Sequence, residues 1–245
     1  MKKKVIILGA KSDIAIISSR LFAKNGFDLL LVGRNVESEL KEFGISISEE
    51  FGQKISFYDL DILDSDATDL FLTSNKFIPD GIISFVGFLG NQQRAIKDPT
   101  HAEIIYKSNF SAIVPIIDFF ANQFEEKKDG FVIGISSVAG IRAKKSNYYY
   151  GSAKAAFTAY LSGLRNRLYE SNVHIMTVLP GYVYTKMTEG MDLPRILTVK
   201  PDYVGMKILE AYKMKKDIIY VPSIWKLIIA TIVLIPERIF KRLNL

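Results

Sequence analysis

Seven short, mostly apolar runs, at residues 5–8, 28–32, 55–58, 82–86, 131–135, 176–179 and 218–221, recur between stretches long enough to be helices. Runs that are apolar on successive rather than alternate residues are buried on both faces. Strands of that kind belong to parallel sheets covered by helices. The pattern fits 245 residues into one large α/β domain with a doubly wound parallel sheet. No internal repeat, low-complexity tract or linker divides the chain.

The first run turns at Gly9-Ala-Lys-Ser-Asp-Ile-Ala15 into a helical stretch that reaches about Asn25, with Gly26 as its stop. Such a turn sets backbone N–H groups and a positive helix end against a pyrophosphate. Asp13 stands at the helix start, where a carboxylate would repel phosphates, so its side chain is expected to turn away. The second run ends in Gly33-Arg34-Asn35. An acid at this position bonds the ribose hydroxyls, whereas an arginine welcomes a 2′-phosphate. Arg34, helped by Lys11 or Ser12, therefore predicts NADP(H) and a reductive working direction; the alternative is a solvated surface arginine.

Residues 136–154 read SSVAGIRAKKSNYYYGSAK. On a helix, Tyr150-Gly-Ser-Ala-Lys154 puts a phenol and an ammonium one turn apart on one face. A neighbouring cation favours the phenolate, so Tyr150 is expected to ionise below the ordinary value of ~10. It could then exchange a proton with a carbinol oxygen near neutral pH. Ser137, at the end of the 131–135 run, could hydrogen-bond the same oxygen. Taken singly, a Tyr–Lys pair is a surface contact and Ser-Ser is turn chemistry. Together, beside a nucleotide fold, they spell carbonyl reduction or alcohol oxidation.

On these residues, and over nearly its whole length, the chain resembles the short-chain dehydrogenase/reductase family. The resemblance implies a Rossmann-type fold in which Ser137 orients the substrate and Tyr150 transfers the proton. Lys154 would hold the nicotinamide ribose and tune the tyrosine, and Asn109 would support a water relay. Cofactor contacts would come from Gly9, Lys11, Ser12, Asp13 and Ile14 at the first turn, and from Arg34, Asp61 and Ile62 around the adenosine. Gly87 would face the ribose with Tyr150 and Lys154, while Pro180, Val183 and Thr185 of the PGxVxT turn would face the carboxamide. Two departures stand out. Asp13 and Ala15 replace two of the family's three first-turn glycines, and Ser84-Phe-Val-Gly87 stands where Asn-Asn-Ala-Gly is usual.

Asn109 falls in a helical segment expected over 99–126, and the catalytic helix over 150 to about 170. Gly151, Ala155, Ala159 and Gly163 make a smooth stripe on the latter. Family members dimerise through this helix, so the resemblance implies a homodimer or homotetramer; packing against the sheet explains the stripe equally well. Residues 186–199 are expected to form a substrate lid.

A catalytic domain over 1–221 is followed by a C-terminal apolar and basic tail, 222–245. Its run 225–235 is apolar except for Lys226 and Thr231, short of the ~20 residues that span a bilayer. Trp225 and Lys226 before it, with Arg238, Lys241 and Arg242 after it, suit a segment lying in the headgroup zone. A helix packed over the substrate cleft, or at a subunit interface, has equal claim. Three stretches are similar to one branch of the family, which includes the ketoreductase half of decaprenylphosphoryl-ribose 2′-epimerase. They are Phe85-Val-Gly-Phe-Leu-Gly-Asn-Gln, Gly140-Ile-Arg-Ala-Lys-Lys-Ser-Asn-Tyr-Tyr-Tyr-Gly and the PE-x-x-FK-x-L ending. That likeness implies a keto-sugar carried on a polyprenyl phosphate for surface glycan synthesis. Arg142, Lys144 and Lys145 could meet the phosphate, although three charges more often mark a solvated basic loop. A reductase of lipid or acyl-thioester ketones is the alternative enzyme, and an NADP(H)-binding sensor or scaffold the alternative without turnover.

The absence of cysteine excludes disulfides and thiolate chemistry, and His101 and His174 lie too far apart for a metal site, so no metal is expected. A formal net charge of +6 suits an anionic partner, a phosphorylated cofactor or a phospholipid surface. The basic residues are spread without a nucleic-acid motif, so no nucleic acid is expected. Met1-Lys-Lys-Lys and the 5–8 run imitate a signal peptide, but Lys11, Ser12 and Asp13 interrupt it. A cytoplasmic protein is predicted, with peripheral contact to the inner face of the cell membrane through the tail.

Overall fold

The computed structural model describes residues 2–74 and 77–243. Its strands are β1 (Lys3–Leu8), β2 (Phe27–Gly33), β3 (Ile55–Asp59), β4 (Gly81–Ser84), β5 (Gly130–Ile135), β6 (Val173–Pro180), β7 (Tyr182–Val183), β8 (Thr198–Val199) and β9 (Ile218–Val221). Each of the seven apolar runs is a strand of one sheet, ordered β3-β2-β1-β4-β5-β6-β9, and every neighbouring pair is parallel. The order reverses direction between β1 and β4, which opens a crevice at their C-terminal ends.

The helices are α1 (Asp13–Lys24), α2 (Val36–Phe51), α3 (Ser65–Ser74), α4 (Gln92–Lys97), α5 (Pro99–Tyr106), α6 (Val114–Lys127), α7 (Tyr148–Leu168), α8 (Pro201–Lys213), α9 (Ile224–Leu234) and α10 (Glu237–Phe240). Alternate strand residues feed two cores. Val5, Ile7, Leu29, Leu31, Ile133 and Met176 pack with α1, α2 and α8 on one face. Ile6, Leu8, Leu30, Val32, Val132 and Ile175 pack with α6 and α7 on the other. Each side chain so buried contributes about 1.5–3 kcal/mol of transfer free energy, which is why these strands are apolar at successive positions.

The segment expected as one helix over 99–126 is instead two, α5 and α6, joined by a π-helical turn at Lys107–Ser111. The Asn109 amide Nδ2 donates to the Ile105 carbonyl at 2.8 Å, taking an acceptor that the helix ladder would use. By length and composition Pro99–Lys127 could cross a membrane. Ile116, Ile117, Phe120, Ala121 and Phe124 from it are instead buried against the sheet. The 186–199 segment is short 3-10 turns ending in β8, which pairs with β7 in a separate two-stranded ribbon.

Candidate active site

A cleft of about 660 Å³ runs along the C-terminal ends of the central strands. Every residue predicted to act in catalysis or to touch the cofactor lines it except Asn109. At one end, Gly9 adopts φ +78°, and a Cβ there would fall 2.9 Å from the Val86 nitrogen, so the turn needs glycine to lie against the loop after β4. Gly9 and Ala10 both donate their N–H groups to the Val32 carbonyl, at 2.9 and 3.1 Å, which fixes the start of α1 at the cleft floor. Ser12 occupies the N-cap of α1 without a side-chain capping bond.

The Asp13 carboxylate is engaged by the backbone of the 186–199 segment. Its Oδ2 accepts from the Lys186 N–H at 2.8 Å and so tethers the 186–199 segment to the first turn. Lys11 is ion-paired to Glu39 at 2.5 Å. Arg34 is 70% exposed, and its Nη1 lies 3.9 Å from Asp61, a loose contact that leaves the guanidinium available to a ligand.

At the other end, a Cβ on Gly87 would sit 3.3 Å from both Lys154 Nζ and Asn109 Oδ1. Lys154 is buried, and its Nζ donates to the carbonyls of Val86 and Ile135, each at 3.1 Å. Asn109 is fully buried. Its Oδ1 accepts from the Phe88 N–H at 3.1 Å and its Nδ2 donates to the Phe88 carbonyl at 2.7 Å. Its side chain braces the Gly87–Phe88 backbone rather than lining the cleft. A glycine-lined groove, a helix start and an exposed, loosely paired arginine fit a dinucleotide phosphate.

Tyr150 lies in the first turn of α7 facing Ser137, whose Oγ also accepts from the Ala139 N–H at 3.1 Å. The expected acidity is not what the structure shows. Burial pushes the Tyr150 phenol up to about 12, and the hydrogen bond with Ser137 only partly opposes it. Lys154 Nζ lies 5.9 Å from the Tyr150 ring centre, and burial holds its own pKa down at about 7. With burial also holding the amine toward its neutral form, desolvation decides the direction for the phenol. The Tyr150 phenol therefore stays protonated through the neutral range.

The Lys154 shift carries a stability signature. Unfolded, the amine keeps its proton up to about 10.5; folded, only up to about 7. Between those values the unfolded state binds more protons, so stability rises with pH across that window. Urea unfolding from pH 7 to pH 10 is expected to show this rise in the wild type and a flatter curve in Lys154→Met. Equal slopes in the two proteins would contradict it.

The far wall of the cleft comes from the tail. Trp225 and Ile229 of α9 are buried with Val138 and Leu179, and Ile232 reaches the cleft beside them. A Cβ on Gly181 would fall 1.8 Å from Trp225 Nε1, so the glycine admits the indole. The tail helix thus packs over the cleft, one of the arrangements the sequence left open. Sequence reasoning did not find Ile229, Ile232, Met187 and Met191 as cleft residues, because an apolar side chain gives no local sign of which surface it faces. Arg142 and Lys144, both expected near a phosphate, line the cleft, Arg142 with its guanidinium bonded to the end of α9; Lys145 does not line it. Among the described residues no group of His, Cys, Asp and Glu could hold a metal ion. His101 accepts from the Asn91 N–H at 2.9 Å, and His174 Nε2 hydrogen-bonds the Lys216 carbonyl at 3.1 Å, both structural contacts.

A sequence model of the short chain dehydrogenase family matches residues 3–194. An uncharacterized oxidoreductase of Mycobacterium tuberculosis is 29% identical over 98% of this chain and 96% of its own length. A 3-oxoacyl-[acyl-carrier-protein] reductase of Chlamydia muridarum is 23% identical over 78% of each chain. Among solved structures, a short-chain dehydrogenase from Sphingobium yanoikuyae in complex with NADPH superposes with a TM-score of 0.82 over 96% of this chain and 97% of that one, at 20% identity.

Proposed function

The chain belongs to the short-chain dehydrogenase family and is an oxidoreductase, and from that premise we propose that it uses NADPH to reduce a ketone to a secondary alcohol. The observation that carries this reading is the convergence of Ser137, Tyr150 and Lys154 at one end of a cleft whose other end holds Gly9 and Arg34. NADPH, when bound, supplies the hydride. Gly9, Ser12 and Ile14 at the start of α1 would hold its pyrophosphate, Arg34 its 2′-phosphate, and Asp61 and Ile62 its adenosine. Lys154, Gly87, Pro180, Val183 and Thr185 would receive the nicotinamide riboside.

Ser137 donates a hydrogen bond to the carbonyl oxygen and fixes it in line, and Tyr150 gives that oxygen its proton. A phenol near 12 remains loaded at neutral pH and is still far more acidic than the secondary alcohol that forms when it protonates the developing alkoxide. Asn109 holds the Gly87–Phe88 backbone against which the cofactor would lie. Trp225, Ile229, Ile232 and Met191 surround the substrate end with apolar surface, and Arg142 and Lys144 add cationic groups. That lining supports a substrate with an apolar portion and an anionic group, such as a polyprenyl-phosphate-linked keto-sugar. A lipid or acyl-thioester ketone fits the apolar wall alone.

The outer surface of the tail supports a lipid-facing role. Leu227, Val233, Leu234 and Ile239 are exposed, with Lys226, Arg238, Lys241 and Arg242 around them. An anionic bilayer matches that mixture of apolar and basic groups. On α7 the small-residue stripe divides. Gly151 packs on Ala139 and Ala143, whereas Ala159 and Gly163 are exposed and offer a second copy of the chain a smooth face.

The test is NADPH oxidation on a panel of short, acyl-thioester and lipid-phosphate ketones, with and without anionic vesicles. Turnover that favours apolar, anionic ketones and rises with vesicles is expected. No turnover on any ketone would overturn the reductase reading, and indifference to vesicles would remove the membrane contact.

A further inference from the structure

The wall helix α9 is 11 residues long and buries only Trp225 and Ile229. A helix this short is marginal in water, and at its end the backbone closes only with a 3.2 Å bond from the Ile235 N–H to the Ile232 carbonyl. Arg142, on the loop between Ser137 and Tyr150, supplies what is missing. Its Nη1 donates to the carbonyls of Ile232 at 2.5 Å, Val233 at 3.2 Å and Ile235 at 2.6 Å. Its Nη2 donates to Glu237 Oε2 at 3.0 Å, and its guanidinium lies 3.7 Å over the Phe240 ring centre. The Arg142 side chain is only 15% exposed, and its bonds to the Ile232 and Ile235 carbonyls are partly shielded from water, whereas Glu237 is exposed. A cation at this end also opposes the helix dipole.

The other side of the same loop is fixed to the catalytic helix. A Cβ on Gly140 would fall 2.8 Å from the Ala155 nitrogen, and one on Gly151 would fall 2.9 Å from the Ala139 carbonyl oxygen. The loop therefore rests directly on the α7 backbone beside Tyr150 and Lys154, and grips the end of α9 through one side chain 90 residues or more away in sequence.

We propose that Arg142 is a positioning residue that clamps α9 across the cleft and thereby sets the size of ketone the site accepts; the size effect rests on the reductase reading. Trp225 is the chain's one tryptophan, which lets the clamp be observed without any substrate. In the intact protein its emission is expected to be blue-shifted and poorly quenched by acrylamide. Arg142→Ala should red-shift it and raise quenching severalfold. Phe240→Ala, a change on the tail side that leaves the loop intact, should do the same in milder form, and the double variant should add little to Arg142→Ala. Arg142→Lys should restore the wild-type signal only in part, because an ammonium lacks the planar fork.

In turnover, KM for a small ketone should rise about tenfold in Arg142→Ala, more than kcat falls, while bulkier ketones gain in relative kcat/KM. An unshifted, unquenched Trp225 in Arg142→Ala would overturn the clamp, as would an equal loss of kcat/KM for ketones of every size. If the wild type reduces no ketone, the reductase reading fails and the fluorescence still judges the clamp.

Discussion

Replacing Tyr150 by Phe is expected to lower kcat for ketone reduction by about 10²–10⁴-fold, the range for loss of a positioned general acid. The substitution deletes one hydroxyl and leaves the ring, whose place in the first turn of α7 is set by the helix. Lys154 keeps its bonds to the Val86 and Ile135 carbonyls, so apart from the one hydroxyl the surface that would meet the nicotinamide ribose is kept. NADPH affinity should therefore stay within about twofold of wild type. Steady-state kinetics with a fluorescence titration of NADPH checks both halves. A matching loss of affinity and turnover would mean that the phenol binds cofactor rather than handling the proton. Retained turnover would move the acid elsewhere.

Arg34→Asp is expected to produce the second large effect, a fall of about 10²-fold in the preference for NADPH over NADH, read as the ratio of the two kcat/KM values. The guanidinium is 70% exposed and only 3.9 Å from its nearest acidic partner, so it is poorly committed to the fold and its loss should cost little stability. A carboxylate in its place would stand beside Asp61, and together they would repel a 2′-phosphate while accepting bonds from free ribose hydroxyls. Unchanged selectivity would assign the 2′-phosphate to another cation, with Lys11 the nearest candidate once freed from Glu39.

How much of this was legible in the sequence follows from what each feature depends on. The seven strands could be read because burial on both faces demands continuous apolar residues. The first turn could be read because Gly9 at φ +78° admits no side chain without strain. Helix α2 was not placed, since its buried stripe of Val36, Leu40 and Ile47 is interrupted by Gly44, which packs against Phe57 of β3. The break in the 99–126 segment depends on Asn109 reaching Phe88, 21 residues earlier, a contact that no local pattern announces. Spacing placed Tyr150 and Lys154 on one face but could not report their burial. That burial reverses the expected acidity of the phenol and lowers the pKa of the amine. The tail's apolar run was visible, yet its inward face was decided by Gly181 and Arg142, residues far from it in sequence.

The most direct test is a crystal structure of the protein with NADP⁺ and an inert alcohol analogue of the substrate. The oxygen of that analogue should lie within about 3 Å of both the Tyr150 hydroxyl and Ser137 Oγ, with the nicotinamide stacked over Gly87 and its ribose bonded to Lys154. A dinucleotide bound elsewhere, or a Tyr150 hydroxyl turned from the nicotinamide, would contradict the proposed chemistry.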